Sequence, residues 1–402
     1  MNSKIIVTFL ARFGSAVAAF VIAILLSQFL GTEGKGKAAL LILNISFINL
    51  FTNIMGGAAL VYLAPRFHTF TLLIVSYIWI PLITAILGLI YYISGYTITA
   101  LDIHTFVLAT ILGWFNTNTN LLLGKQKTHT FNILSVVQVF ITLIYLLIAF
   151  YGNIGKQQYS DYVTALYIGY IASFLASFLY TNKELERNYT ISGLKEVLRR
   201  FIWHGGYIQL ANLGQLLIYR ASYYMIGYFH SLSPLGIYSN AIAIAESIWI
   251  VSRSISTIQY SEIANEKDIN VSKQKTIKLR KTNLLISIGL VAIVCFLPDS
   301  FYTYLFGRNF TGLQQIIWAL APGIVAFSYA NLNSHFFSGI GKNHINTIIS
   351  FSGFGLTAII GLVLIPSYSS IGAAITASLV YIITAIAGDI VFIRTTNAKL
   401  NI

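Results

Sequence analysis

The sequence predicts an all-α integral membrane protein of about twelve transmembrane helices, on three observations. Apolar segments of spanning length recur from Ile5 almost to the end of the chain, separated by short polar turns. The 402 residues are 56% hydrophobic and only 9% charged, too little polar surface to clothe a soluble fold of this size. The cations are also sorted by turn, as a membrane topology requires. About 20 mostly apolar residues cross the hydrocarbon, where only closed backbone hydrogen bonding survives, so each segment is expected to be a helix. The alternating pattern of barrel strands is absent.

In order, the spans are read at 5–30, 38–64, 69–93, 103–123, 130–151, 160–182, 201–229, 234–258, 282–305, 312–340, 344–366 and 370–393. The first follows a Lys-bearing start, is too long for a signal-peptide core and has no small-residue cleavage site after Leu30, so it reads as an uncleaved helix. The fourth is the most interrupted, with Asn116, Asn118 and Asn120 in it. The ninth holds the single cysteine, Cys295, which excludes an intramolecular disulfide.

The net charge of +13 is explained by topology rather than by nucleic acid. With the N-terminus inside, 18 of the Lys and Arg residues fall in inner turns and tails, Lys125, Lys127, Arg200, Arg280 and Arg394 among them. Only Lys35, Lys37, Lys156 and Arg308 fall in outer turns. This bias places both termini in the cytoplasm and makes the number of spans even. The remaining cation excess suits anionic lipid.

Two long inner connections stand out, 181–200 and 261–282. The first separates residues 1–182, an N-terminal six-helix bundle, from residues 201–402, a C-terminal one. Between them, residues 183–200 alternate Glu, Leu, Lys and Arg as an amphipathic segment at the cytoplasmic face would, or as a solvated linker would. An internal echo supports two halves. Gly124-Lys125-Gln126-Lys127-Thr128-His129 follows the fourth span and Gly341-Lys342-Asn343-His344 the tenth. The outer turn Leu30-Gly31-Thr32-Glu33-Gly34-Lys35-Gly36 is echoed by Ser231-Leu232-Ser233-Pro234-Leu235-Gly236. Paired bundles of this kind suit alternating access around a central site.

The same turns carry a family resemblance. Arg12-Phe13-Gly14-Ser15, the turn from Leu30 to Gly36, Gly227-Tyr228-Phe229, Pro234-Leu235-Gly236-Ile237-Tyr238-Ser239-Asn240-Ala241, Gly339-Ile340-Gly341-Lys342, Ile365-Pro366-Ser367-Tyr368 and Ile371-Gly372-Ala373-Ala374 occur in that order along the whole chain. In these features the chain resembles the Wzx/RfbX-type polysaccharide flippases, of the superfamily that also holds the multidrug and toxin extruders. The resemblance implies two six-helix bundles around a central cavity. It also implies movement of an undecaprenyl-pyrophosphate-linked oligosaccharide from the inner to the outer leaflet for O-antigen, capsule or exopolysaccharide assembly, with no catalytic residues. Membrane lipids, and the polymerase and chain-length regulator of the same pathway, are the implied partners, and the bacterial cytoplasmic membrane the implied location. Relatives often carry an Asp before the Arg of the seventh span; here Tyr219 precedes Arg220.

Ionisable groups inside spans mark pathways or pairs. Arg12 lies roughly 10 Å into the first span at helical rise, able to snorkel to inner headgroups or to grip a pyrophosphate through its guanidinium fork. Glu246 and Arg253, seven residues apart in the eighth span, are roughly 10 Å apart and so cannot pair with each other. Each requires a partner on another helix or a wet cavity. Arg220 shares its helix face with Tyr223 and Tyr224, and Gln209, Asn212, Gln215 and Tyr219 continue that polar side inward, for sugar recognition or for holding helices together. Substrate binding is therefore assigned to Arg12, Arg220, Arg253, Tyr223, Tyr224, Asn212 and Gln209. Glu246 and Asp389 are the candidates for coupling to H+ or Na+, although a local pair of Asp389 with Arg394 competes with that role.

The chain has no Walker loop, no zinc-binding His-Glu-x-x-His and no nucleophile elbow, so neither a cofactor nor enzymatic chemistry is expected. The alternative function is an ion-coupled multidrug or small-molecule antiporter of the same superfamily. A lipid II flippase is close kin but carries two further spans, and a glycan polymerase or ligase would need a larger outer loop.

Overall fold

The computed structural model describes residues 3–95, 103–152, 154–185, 193–266 and 268–397, with side chains from residue 13 onward, Ser261 excepted. The chain is an all-α integral membrane protein. Its helices are α1 (Ser3–Gly56), α2 (Ala58–Leu63), α3 (Thr69–Ile93), α4 (Ile103–Gly124), α5 (Thr128–Tyr151), α6 (Tyr159–Asn182), α7 (Leu194–Arg200), α8 (Gly206–Phe229), α9 (Leu232–Ala264), α10 (Ile269–Phe296), α11 (Asp299–Phe306), α12 (Leu313–Gly339) and α13 (Asn343–Asn397). A π-helical turn, Phe201–Gly205, joins α7 to α8.

Eight helical segments among the described residues are long and apolar enough to cross a bilayer. The helices α1 and α13, 54 and 55 residues long, each cover two of the expected spans. Each breaks where the sequence places an outer turn, α1 at Gly31 (φ 65°, ψ −170°) and α13 at Ser369 (φ 50°, ψ −127°). A Cβ disfavours the first conformation, and glycine supplies it. The helices α4 and α8 have crossing length but fall short in apolarity, because asparagines occupy α4 and a polar, Arg-bearing stripe runs along α8.

Two boundaries differ from the sequence reading. The ninth span, read at 282–305, starts at Ile269 and ends at Phe296. Asp268 opens it by accepting the Asn270 backbone N–H at 2.8 Å, and Pro298, which has no N–H to donate, separates it from the short α11. The eighth span runs on to Ala264. Much of the second long inner connection is therefore helix.

The chain divides into two compact units. One comprises residues 1–30 and 37–213, the other residues 31–36 and 214–402. In the first unit, Leu25, Leu41 and Ile45 of α1 pack with Leu146 and Phe150 of α5 and Leu166 of α6. A second cluster seats Val197 and Phe201 against Leu60, Leu63 and Leu121. In the second unit, α12 is central and packs on α9, α10 and α13, with Phe336, Phe337 and Phe392 at its core.

The turn of residues 31–36 is inserted into the second unit through glycines. A Cβ on Gly36 would lie 2.0 Å from the Leu232 carbonyl oxygen, and one on Gly236 would lie 1.9 Å from that of Thr32. Backbones approach this closely only where the side chain is hydrogen. Ser233 donates to the Thr32 hydroxyl at 2.7 Å across the same contact. The echoed turns of the sequence are thus the two faces of one contact.

Candidate functional site

The polar residues of α8 serve both units. In the first unit, Asn212 donates to Gln209 at 3.1 Å and Gln209 reaches the Asn53 carbonyl at 3.5 Å. This part of the stripe bonds α8 to its own unit, and Gln209 is buried. In the second unit, Gln215 donates to the Tyr219 hydroxyl at 3.1 Å, and Arg220 sits one residue further on.

Arg220 and Glu246 form an interhelical ion pair, with Nη2 to Oε1 at 2.6 Å. This answers which partner Glu246 takes: the guanidinium of α8, while the carboxylate side chain stays 41% exposed. Arg220 also donates to the Tyr223 hydroxyl, and the Tyr223 ring stands edge-on to Tyr238 at 5.6 Å.

A third charge completes the cluster. Lys35, counted from the sequence as an outer-turn cation, is only 8% exposed and lies within electrostatic reach of both Arg220 and Glu246. It belongs to the inserted turn of residues 31–36, and among the described residues no ion pair is made by its ammonium. Two cations around one carboxylate leave a net positive charge, which is costly to hold inside a membrane protein.

Aromatic rings wall the inner side of this cluster. Trp249 and Phe327 lie 4.2 Å apart between ring centroids, and Tyr219 meets Phe327 at 5.5 Å and Tyr381 at 6.1 Å. Beneath them is a cavity of about 90 Å³ lined by Gln215, Tyr219, Asn331, Asn333, Tyr381 and Thr384, among others. Asn333 is buried, and its Nδ2 has no protein partner. A polar hollow of this size accommodates water.

Asp389 requires a correction. Its expected local pair with Arg394 gives way to Arg280 of α10, Nη2 to Oδ1 at 2.6 Å, while Tyr329 donates to the second carboxylate oxygen at 3.2 Å. Arg280 further donates to Asn333 at 3.0 Å, and its guanidinium carbon lies 4.2 Å from the Tyr329 ring centroid. Arg280, read as an inner-turn cation, is buried because it lies well inside α10, which already starts at Ile269. The signal was present: Ser272, Thr276, Arg280, Asn283 and Ser287 recur at helical spacing and form the buried face of α10.

Of the other candidates, Arg253 lies within electrostatic reach of Tyr219. Arg253 is exposed on α9 with its guanidinium in no ion pair among the described residues. Tyr224 is half-buried on α8. The side chain of Arg12 lies outside the described residues, as do Lys4, Arg187, Lys267 and Lys399.

Comparison with known proteins gives the fold a context. No protein-family model matches the chain. A lipid II flippase MurJ structure in an inward closed conformation superposes with a TM-score of 0.78 at 15% identity, covering 95% of this chain and 86% of that one. An inward-facing multidrug resistance MATE family transporter of the MOP superfamily superposes with a TM-score of 0.73 at 14% identity, over 96% of this chain and 95% of that one. At such identities the likeness shows the fold alone, a fold shared with MATE transporters and MurJ. By sequence, the chain is 21% identical over 284 residues to the uncharacterized membrane protein MJ1068 of Methanocaldococcus jannaschii, covering 69% of this chain. The chain spans about half (55%) of the length of that curated relative.

Proposed function

We propose that the protein is a flippase of the bacterial cytoplasmic membrane that carries undecaprenyl-pyrophosphate-linked oligosaccharides from the inner to the outer leaflet, for O-antigen, capsule or exopolysaccharide assembly. The observation that carries this reading is the Lys35–Arg220–Glu246 cluster, in which one carboxylate pairs with Arg220 and a second, buried cation, Lys35, lies within electrostatic reach of both. A pyrophosphate neutralises such an excess and offers the oxygen pairs that a guanidinium fork binds in two places. The fold shared with a lipid II flippase supports the reading, and so do the motifs that resemble the Wzx/RfbX-type proteins.

In the proposed cycle Arg12 and Arg253 draw in the head group, and Arg220 with Lys35 holds the pyrophosphate. Tyr224, on the same helix as Arg220, meets sugar hydroxyls, and the lipid tail stays in the bilayer. Glu246 is placed to answer the loaded state. When the anion takes over Arg220, the half-exposed carboxylate loses its partner and becomes able to accept H+ or Na+, so loading couples to an ion. The cation bias of the turns supports cytoplasmic termini.

A second reading, an ion-coupled multidrug or small-molecule antiporter, is favoured by the equally extensive likeness to a MATE transporter and by the same half-exposed Glu246. Deleting the gene in its host and assaying which leaflet holds the undecaprenyl-linked oligosaccharides, with drug sensitivity scored alongside, separates the two. Cytoplasmic accumulation of single repeat units with loss of surface glycan is the expected outcome. Unchanged glycan with new drug sensitivity assigns the protein to the antiporters.

A further inference from the structure

The entry to α8 carries a feature that transport does not use. Val197 and Phe201 are fully buried in the first unit, and a Cβ on Gly205 would lie 1.9 Å from the Ile54 carbonyl oxygen, so the segment 197–205 is pinned to its unit by apolar side chains on one face and close backbone contact. Its outward face is basic and aromatic. Arg200 binds Glu196, just before this segment, through Nε at 3.0 Å and Nη2 at 2.8 Å, which neutralises the one acid of residues 193–205. Lys195 and Arg199 remain exposed and, among the described residues, without ion-pair partners. Trp203 follows with 72% of its surface exposed, at the point where the sequence-defined span begins. A hollow of about 840 Å³ is lined by Lys195, Arg199, Trp203 and His204, among others. The same edge continues through the His204 ring, 4.9 Å from that of Tyr62, to the Arg66 guanidinium, 3.8 Å over Tyr62.

We infer that this hollow is a binding site for the head group of an anionic phospholipid, held by Lys195 and Arg199 with Trp203 set against the glycerol and upper acyl region. Charge complementarity selects the occupant: the unit offers two unpaired cations on a rigid support where a span meets the head-group layer, and an exposed indole is the side chain that suits that layer. A soluble anion would satisfy the cations but gives the exposed Trp203 and the flanking Ile202 and Tyr207 nothing apolar to meet. The site does not depend on which molecule is transported or on which face is cytoplasmic.

The test is native mass spectrometry of the full chain purified in detergent and supplied with equal phosphatidylglycerol and phosphatidylcholine, with Lys195→Gln/Arg199→Gln as the variant. Wild type is expected to retain phosphatidylglycerol selectively. The variant is expected to retain it about 30-fold less tightly, from about fivefold for each basic side chain near a lipid head group. Excess inorganic phosphate is expected to leave the lipid bound. A second measurement needs no charge substitution: brominated phosphatidylglycerol is expected to quench wild-type fluorescence more than that of Trp203→Phe, the difference reporting Trp203 alone. Equal retention of the two lipids, an unchanged variant, displacement by phosphate, or identical quenching in wild type and Trp203→Phe would each overturn the inference.

Discussion

The second unit holds two ion clusters in its interior, and they are built to opposite ends. Around Asp389 the charges balance: Arg280 donates to Asp389 and Asn333, Tyr329 donates to the other carboxylate oxygen, and the Tyr329 and Phe392 rings lie against the guanidinium. Around Glu246 the charges do not balance. Arg220 alone pairs with the carboxylate, which remains 41% exposed, and Lys35 adds a second cation within electrostatic reach. A closed, neutral network contributes to a unique packing of helices, whereas an open, cationic one is costly until an anion fills it. Stability is therefore expected to reside in the first cluster and transport in the second.

The comparison breaks most visibly by removing one partner from the balanced cluster. Arg280→Ala removes the cation from a partly buried carboxylate and is expected to cost about 1.5–3 kcal/mol. Arg280→Met/Asp389→Leu together should recover most of that loss, because an apolar pair of similar volume replaces a buried ion pair at little cost. Thermal unfolding in detergent checks both. If the double variant is as unstable as the single one, the network contributes more than charge balance.

The open cluster is expected to respond in export instead. Arg220→Gln/Glu246→Gln removes one cation together with the carboxylate and leaves the net charge of the cluster unchanged, so the fold should persist while leaflet transfer of the lipid-linked oligosaccharide in the host falls by an order of magnitude or more. A double-mutant cycle with the single variants separates pairing from substrate contact. Glu246→Gln alone raises the positive excess. It is expected to tighten anion binding while slowing turnover, read as opposite movements in Kd and export rate; parallel movements would remove Glu246 from the coupling role. The smallest effect is expected from Tyr223→Phe, which deletes one acceptor of Arg220 and should cost about 1 kcal/mol of stability with little loss of export.

Much of this was legible in the sequence, for reasons that also explain the gaps. Apolar run length located the spans because a bilayer demands it, and the glycines at 31, 36 and 236 marked turns because only glycine tolerates those geometries. Glu246 and Arg220 stood out as charges in apolar runs, yet their pairing joins helices whose mutual rotation no linear pattern states. Arg280 was misread because its polar stripe, from Ser272 to Ser287, adjoins a cluster of lysines and looks like a loop until the period of α10 is counted. Lys35 was misread because its environment is created by the insertion of residues 31–36 into the second unit, a contact made across about 200 residues of sequence.

The most direct measurement is binding of a short polyprenyl pyrophosphate and its monophosphate to the purified chain, wild type against Lys35→Gln, which removes the excess charge and leaves the Arg220–Glu246 pair intact. The account expects wild type to prefer the pyrophosphate, and Lys35→Gln to lose that preference with an unchanged thermal midpoint. Equal binding of the two lipids by wild type, or a preference that survives the substitution, would contradict it.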